Sequence, residues 1–281
     1  MKAVRRRQAG RPGWERLWRH SYRLGARWLT RVARHRGRGW RVALQRLLVP
    51  LDPSRYYELG EVAEGSFEGD CLDVSSPKLL ASLLQREGQG RWTCIDLFER
   101  EIEAWRQVDP ELQLAVADAT RLPYPDESFD NAICISVIEH VPGDGDTVAM
   151  AELWRVLRPG GVLHLTTNVA ADSHDVHRDD ALYGEASAGA DGGGVFFERR
   201  YSDADIDERL LAQPWQVERR ELCRQVDESI EERFYARAPW SYAWGGALRR
   251  SCPGNFEQVP DSGALAGRDH GIAYLVLVKP G

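Results

Sequence analysis

Polar side chains that could bind a ligand or carry a proton follow three apolar runs in the middle of the chain. The runs span 112–116, 130–137 and 161–167, and each is short and rich in apolar residues, as buried strands are. The polar residues at or just after their ends are Asp118, Ser136, Glu139, His140 and Asn168. One carboxylate at a strand end is often only a brace, but polar residues at three consecutive strand ends indicate a site.

The elements around these residues alternate between strand and helix. Apolar positions in 147–157 recur at helical spacing, and Pro159, Gly160 and Gly161 then end that helix. Strands joined by helices at this spacing predict an α/β fold, with a mostly parallel sheet covered by helices on both faces. Because ligands bind at the carboxyl ends of the strands in such sheets, we expect the polar residues to meet at one edge.

An earlier strand and turn add charge to the same edge. The first predicted strand, 70–74, is followed closely by Ser76, Pro77 and Lys78. We expect Ser76 to cap a helix over 77–86 that has Pro77 as its first residue. The free N–H groups of that helix, with Lys78 beside them, would then face an anion.

The second predicted strand, 91–97, contains Asp96, which follows Asp73 by 23 positions. A carboxylate at about this distance suits the hydroxyl groups of a ribose. Nicotinamide-binding folds share this placement, so the carboxylate alone does not identify the ligand. The absence of a G-x-G-x-x-G sequence argues against a dinucleotide.

Two motifs in this region resemble a known family. They are V-A-D-A-T-R-L-P-Y-P-D-E-S-F-D at 116–130 and L-R-P-G-G at 157–161. Both are similar to motifs of the S-adenosylmethionine-dependent methyltransferases of the Rossmann-like class I, especially the small-molecule (type 11) branch. The resemblance covers roughly 68–170. It implies a seven-stranded, mostly parallel sheet with an antiparallel last strand, S-adenosyl-L-methionine as cofactor, and methyl transfer to an acceptor, with oxygen favoured.

The resemblance also implies which residues bind the cofactor. Asp96 would hold the ribose, and Asp118 with the backbone of Ala119 would hold the adenine. The turn at 75–78 would hold the methionine end, although it has none of the glycines that the family has there. The full set is Asp73, Ser75, Ser76, Lys78, Asp96, Leu97, Asp118, Ala119 and Ser136.

On the acceptor side, His140 is the candidate general base, because the ordinary pKa of histidine lies near neutrality. Candidates to contact the acceptor are Glu139, Asn168, His174 and His177. The last two lie in a long loop, which we expect to cover the acceptor. Its acids and histidines could gather a divalent cation, but such clusters are more often solvated, and no metal site is predicted.

The first 50 residues differ in charge from the rest. They contain 15 Lys and Arg and a single acid, whereas the remainder contains 22 basic and 42 acidic side chains. We therefore divide the chain into a basic amphipathic helical arm, 1–50, and a methyltransferase domain, 51–281. Within the domain, the loop at 170–200 and an insertion at 226–262 would form an acceptor cap.

Tryptophan and leucine lie on one face of the predicted arm helix, among them Trp14, Leu17 and Trp18, and arginines occupy the rest. Such a helix could pack on the domain as a cap. It could also make a peripheral membrane contact that serves a lipid-linked acceptor, or bind nucleic-acid phosphates. Amphipathicity alone does not choose among these.

Two other functions stay open. The glycine-free turn at 75–78 would suit a methyltransferase-like binding protein without catalysis, and the basic arm would suit an RNA methyltransferase. No N-P-P-Y-type motif follows the fourth strand, which disfavours amino groups of nucleic-acid bases. The five cysteines include no C-x-x-C pair, and no run of 18 apolar residues occurs. We therefore expect a cytoplasmic protein, with membrane association through the arm as an option.

Overall fold

The computed structural model describes residues 12–35, 55–178, 194–227, 252–268 and 271–281. The helices are α1 (Pro12–His35), α2 (Tyr56–Val62), α3 (Leu79–Arg86), α4 (Glu99–Val108), α5 (Gly145–Val156) and α6 (Asp203–Asp205). The strands are β1 (Asp70–Val74), β2 (Arg91–Asp96), β3 (Gln113–Val116), β4 (Phe129–Ile135), β5 (Leu157–Val169), β6 (His174–Arg178), β7 (Val195–Arg200), β8 (Gln216–Gln225), β9 (Phe256–Val259) and β10 (Gly271–Val278).

Eight of these strands form one sheet in the order β3-β2-β1-β4-β5-β10-β8-β9. Strands β1 to β5 are parallel, and β10 inserts antiparallel between β5 and β8. The α/β fold and the antiparallel last strand are confirmed. The expected count of seven strands was wrong, because β9 pairs with β8 and adds an outer strand.

Helices cover both faces of this sheet, and each face has its own hydrophobic cluster. Alternate residues of β1 divide between the two, with Cys71 in the first cluster and Leu72 and Val74 in the second. The first cluster packs against α1, α2 and α3, and the second against α5 and the π-helical turn Ile206–Leu210 that continues α6. Cys71, Cys94 and Cys134, in β1, β2 and β4, are buried free thiols.

The described part of the arm is a single helix, α1, that packs on the domain. Trp14, Leu17, Trp18 and Leu24 are buried in the first cluster, and the Trp14 ring meets Tyr56 of α2 edge-on at 5.2 Å. The cap interpretation therefore holds for these residues. These four apolar side chains are buried in the core and do not face a membrane. In the described part of the chain, no helix is long and apolar enough to cross a membrane.

A buried polar contact also joins α1 to the domain. His20 Nε2 lies 2.7 Å from Ser82 Oγ of α3, and the Ser82 hydroxyl donates to the Asp109 carboxylate. Since the serine has one proton and gives it to Asp109, its oxygen accepts the proton of Nε2. Burial lowers the pKa of His20 to about 4, so the ring is neutral in the docked arm.

Candidate functional site

A cavity of about 780 Å³ opens at the carboxyl ends of β1 to β4. It lies beside the point where strand order reverses, between β1 and β4, which is where ligands bind in open α/β sheets. Its volume is in the range of small-molecule sites. Eight of the nine predicted cofactor residues line the cavity, namely Ser75, Ser76, Lys78, Asp96, Leu97, Asp118, Ala119 and Ser136.

The turn after β1 forms without glycine because two serines take unusual roles. Ser75 has a φ of 53°, in the left-handed region that glycine occupies most easily. The Ser76 hydroxyl accepts from the Ile135 N–H at 2.8 Å and lies 3.4 Å from the Val74 carbonyl. The prediction that Ser76 caps the next helix was wrong, since its side chain joins β1 to β4. Helix α3 instead begins at Leu79, with no side-chain cap.

Lys78 does not extend toward the mouth of the cavity as an anion-binding group. Its ammonium donates to Asp96 Oδ2 at 2.6 Å, and both side chains are almost fully buried. The other carboxylate oxygen of Asp96 accepts from the Phe98 N–H at 3.0 Å. Burial acts to lower the pKa of Lys78, but Asp73 and Asp96 outweigh it and raise that pKa. Lys78 is therefore charged, and it pairs with the predicted ribose ligand.

Asp73, the ninth predicted cofactor residue, lies beneath the cavity. It is fully buried, and its Oδ1 accepts from the Ser76 N–H at 2.9 Å. Its Oδ2 has no hydrogen-bond partner among the described residues. Burial raises the pKa of Asp73 to about 7, against the opposing effect of Lys78. The carboxyl supports the turn and one of its oxygens is left unsatisfied.

Asp118 and Ala119 lie in the wall formed after β3. Asp118 Oδ1 accepts from both the N–H and the hydroxyl of Thr120, each at 2.8 Å, which holds the carboxylate in place. Leu97 is 48% exposed and offers an apolar surface on the same side of the cavity. Acid, backbone and apolar groups together can contact a base and its ribose.

His140 lines the opposite side of the cavity and is oriented by the hairpin of β6 and β7. Its Nδ1 lies 2.7 Å from the Phe197 carbonyl of β7, and a carbonyl can only accept, so Nδ1 carries the proton. In the neutral ring, Nε2 is then the basic nitrogen. Phe197 also meets the imidazole edge-on at 5.0 Å, and Arg178 lies 3.6 Å from the Phe197 ring centre.

Glu139 lies under the wall of the cavity and does not line it. It is fully buried, and its two oxygens accept from the hydroxyls of Ser136 and Thr167, at 2.8 and 3.2 Å. Burial raises the pKa of Glu139. Ser136, with a φ of 52°, is thereby held at the end of β4 in a backbone conformation that costs energy. This geometry suits a positioning role better than the predicted acceptor contact.

A second buried glutamate, Glu58 of α2, lies next to this site. It accepts from the Thr166 hydroxyl at 2.9 Å and from Arg55, which lines the cavity. Thr166 on β5 lies 108 residues from Glu58 in the sequence, so no local sequence pattern predicts this contact.

The other predicted acceptor residues lie outside the cavity lining. Asn168 donates to Glu198 at 3.0 Å, and His174 and His177 are exposed on β6. The prediction of a loop over 170–200 was wrong at both ends, which pair as the hairpin of β6 and β7. Its middle, 179–193, lies outside the described residues, as does most of the predicted 226–262 insertion. Among the described residues, no group of three or more His, Cys, Asp or Glu could hold a metal ion.

Asp146 at the start of α5 anchors this hairpin, and sequence reasoning missed it. It is fully buried and accepts from Arg199 at 3.0 Å, Tyr201 at 2.9 Å and Arg209 at 2.7 and 2.9 Å. Burial alone would raise its pKa, but the bonds from Arg209 and the other donors lower it. The hairpin that orients His140 is thus tied to the domain by a charged cluster.

Comparison with known proteins agrees with this geometry. Residues 72–165 match the family model described as a methyltransferase domain. The chain contains a class I S-adenosylmethionine-dependent methyltransferase domain. The matched residues include the turn after β1, the carboxylates after β2 and β3, and the end of β4.

Curated relatives extend this match. A demethylmenaquinone methyltransferase of Deinococcus radiodurans is 33% identical over 132 residues, which are 46% of this chain and 48% of the relative. The 27-O-demethylrifamycin SV methyltransferase of Amycolatopsis mediterranei is 38% identical over 79 residues, 26% of this chain and 28% of the relative. This chain thus matches less than half the length of each. The solved MccD protein has the same fold, with a TM-score of 0.51, 14% identity, and coverage of 81% of this chain and 98% of that one.

The cavity fits the cofactor of this class in its polar groups. Asp96 and Asp118 offer carboxylates to hydroxyl and amino groups, and residues 75–78 line the same cavity, where they would hold the methionine end. One feature does not match a simple ribose site, since the Asp96 carboxylate already accepts from Lys78. The residues can therefore hold S-adenosyl-L-methionine, and Lys78 competes for one of their oxygens.

Proposed function

We propose that the protein is an active S-adenosylmethionine-dependent methyltransferase that methylates a hydroxyl group of a small organic acceptor. The observation that carries this proposal is the single cavity in which Asp96 and Asp118 lie on one side and His140 on the other. Cofactor-binding acids and a candidate base must share one space for methyl transfer, because the acceptor has to approach the methyl group in line.

In this site each group of residues has a separate role. Asp96 binds the ribose and Asp118 with Ala119 the adenine, while the turn at 75–78 lies along the methionine end. The cofactor supplies a methyl group on a sulfonium. His140 takes the proton of the acceptor hydroxyl at Nε2, because the Phe197 carbonyl holds the ring proton on Nδ1.

The acceptor class follows from the relatives and the cavity. The two named relatives act on demethylmenaquinone and on 27-O-demethylrifamycin SV, and we propose a small organic acceptor here too; the name of the second substrate, an O-demethyl compound, favours oxygen as the methylated atom. The apolar wall from Val137 and Val141 suits such a molecule. Buried packing of α1 gives no support to a lipid surface, so a lipid-linked acceptor would need the residues of the arm beyond His35.

A second candidate, a methyltransferase-like binding protein without catalysis, is favoured by one observation. The buried Lys78–Asp96 pair occupies the predicted ribose ligand, in a turn without glycine. If that pair excludes the ribose from Asp96, the cofactor loses this contact and the cavity would take another ligand.

Calorimetric titration with S-adenosylmethionine and S-adenosylhomocysteine separates the two candidates. We expect micromolar binding by the wild type and an affinity about 10- to 100-fold weaker for Asp96→Ala, since a hydrogen bond to a charged group contributes roughly 1.5–3 kcal/mol. Asp126→Ala, an exposed acid outside the cavity lining, is the matched control and should bind as the wild type does. No binding by the wild type would contradict the proposal and favour the binding protein.

A further inference from the structure

Three buried ionisable side chains lie where β1 and β2 end. Lys78 is 2% exposed and bonds to Asp96, which is 6% exposed, while Asp73 is 0% exposed. Such charges are costly to bury unless each is paired and hydrogen-bonded. Here the pairing is incomplete, because Oδ2 of Asp73 has no hydrogen-bond partner among the described residues.

The ribose and Lys78 require the same group. Asp96 Oδ1 accepts from the Phe98 N–H and Oδ2 from the Lys78 ammonium. A carboxylate oxygen can accept two hydrogen bonds, so a ribose hydroxyl displaces Lys78 where it takes the position of the ammonium on Oδ2. An ammonium displaced from one buried carboxylate needs another acceptor, since an unpaired charge in this position would be strongly destabilising. The charge of Asp73 raises the pKa of Lys78, so the two groups are neighbours. Oδ2 of Asp73 has no hydrogen-bond partner among the described residues and can accept the ammonium.

We propose that Lys78 is a positioning residue that transfers its hydrogen bond from Asp96 to Asp73 Oδ2 when the adenosyl cofactor binds. The inference rests on the cofactor binding proposed above. It gives the unsatisfied oxygen of Asp73 a role, and it explains how a buried ion pair and a ribose site use the same carboxylate.

The transfer changes the protonation of Asp73. The titratable groups that face this carboxyl are Lys78 from the following turn, Asp96 and Cys94 from β2, and Cys134 from β4. Before binding, burial holds the pKa of Asp73 at about 7. A direct bond from the ammonium favours the carboxylate and lowers that pKa, so the proton leaves to the solvent. Lys78 remains charged throughout, and binding therefore releases a proton at neutral and lower pH.

Calorimetry with S-adenosylhomocysteine, whose sulfur is neutral, tests this at pH 6, 7 and 8 in two buffers of different ionisation enthalpy. For the wild type we expect release of about half a proton at pH 7 and nearly one at pH 6, with affinity about tenfold weaker at pH 6 than at pH 8. Asp73→Asn should release none from this position and bind with little pH dependence. Asp70→Asn, on the same strand and paired with Arg91, is the control and should behave as the wild type.

A crystal structure of the S-adenosylhomocysteine complex provides a second, independent readout. We expect Lys78 Nζ within about 3 Å of Asp73 Oδ2 and a ribose hydroxyl on Asp96. Binding without proton release, equal release by Asp73→Asn, or a Lys78 that stays on Asp96 in the complex would each overturn the inference while leaving the methyltransferase proposal standing. Absence of any binding by the wild type would overturn both.

Discussion

At the scale of single residues, the site depends on side chains whose partners set their chemical form. His140 is the clearest case, because the Phe197 carbonyl can only accept and so holds the ring proton on Nδ1. Asp73 shows the reverse, since burial with one unsatisfied oxygen raises its pKa to about 7. A histidine with a fixed tautomer and a carboxyl that titrates near neutrality are both typical of functional sites.

The role of His140 leads to a specific expectation. Replacing His140 with Gln removes the basic nitrogen, so kcat with a hydroxyl acceptor should fall about 10²- to 10⁴-fold, the usual contribution of a general base. The affinity for S-adenosylhomocysteine should change little, because the acids proposed to hold the cofactor lie on the other side of the cavity. Steady-state kinetics and calorimetry on the same samples measure the two effects.

His174→Gln is the matched control, since that side chain is exposed on β6 outside the cavity lining. It should leave kcat within a factor of about two, as is usual for surface substitutions. An unchanged kcat in His140→Gln would mean that methyl transfer depends only on the positioning of the acceptor and that His140 is not a general base.

At the scale of elements, α1 is part of the hydrophobic core although its charge pattern is that of a surface arm. Its apolar residues lie within the cluster that also holds α2 and α3, and its exposed arginines, Arg19, Arg23 and Arg27, face solvent. Arg16 forms an ion pair with Glu87 after α3 at 3.3 Å. Because hydrophobic burial is worth far more than such half-exposed ion pairs, packing decides where this helix lies.

A substitution in this helix tests that conclusion. Trp18 is 1% exposed, so Trp18→Ala leaves a large cavity and should lower the free energy of unfolding by about 3–5 kcal/mol. Its exposed neighbour Arg19 gives the control, and Arg19→Ala should change stability by less than about 0.5 kcal/mol. Denaturant unfolding followed by tryptophan fluorescence and by circular dichroism measures both. Equal stability of the two variants would mean that α1 is not packed on the domain in solution.

At the scale of the whole molecule, two buried neutral histidines make the fold sensitive to acid. Burial lowers the pKa of His20 in α1 and of His164 in β5 to about 4, from 6.5. The unfolded chain takes up protons as pH falls through 6.5, whereas the folded chain does so only near 4. The two neutral histidines therefore contribute stability above pH 6.5, and this contribution is lost as the pH falls from 6.5 to 4. Asp73 acts in the opposite direction, because its raised pKa lowers stability as pH rises toward 7.

Replacing His20 with Gln isolates one part of this effect. The Gln amide can still donate to Ser82 but does not titrate. Between pH 6.5 and pH 4, the free energy of unfolding should therefore fall by up to about 3 kcal/mol less in the variant than in the wild type. Thermal unfolding across this pH range provides the comparison. A variant that follows the wild-type curve would show that His20 does not remain neutral in the fold.

Local patterns in the sequence predicted much of the fold and of the cofactor site. The first strand at 70–74 matches β1, and the acids predicted at strand ends lie in or under one cavity. These predictions succeed because periodicity reports burial, and parallel strands bring their carboxyl ends to one edge. The predicted helix start was wrong because the Ser76 hydroxyl bonds to the Ile135 N–H of β4. A local sequence pattern does not contain such a contact between distant residues.

What the sequence by itself determined was the class of fold, the strand ends that carry polar residues, and the family of the central segment. Only the tertiary structure decided which of those side chains bind each other. The ammonium of Lys78 on Asp96, the Phe197 carbonyl on His140 and the buried α1 all join residues far apart in the chain. The physical reason is that a buried charge or apolar face must pair with a group that lies next to it in space. Spacing along the chain does not tell which groups the fold brings together.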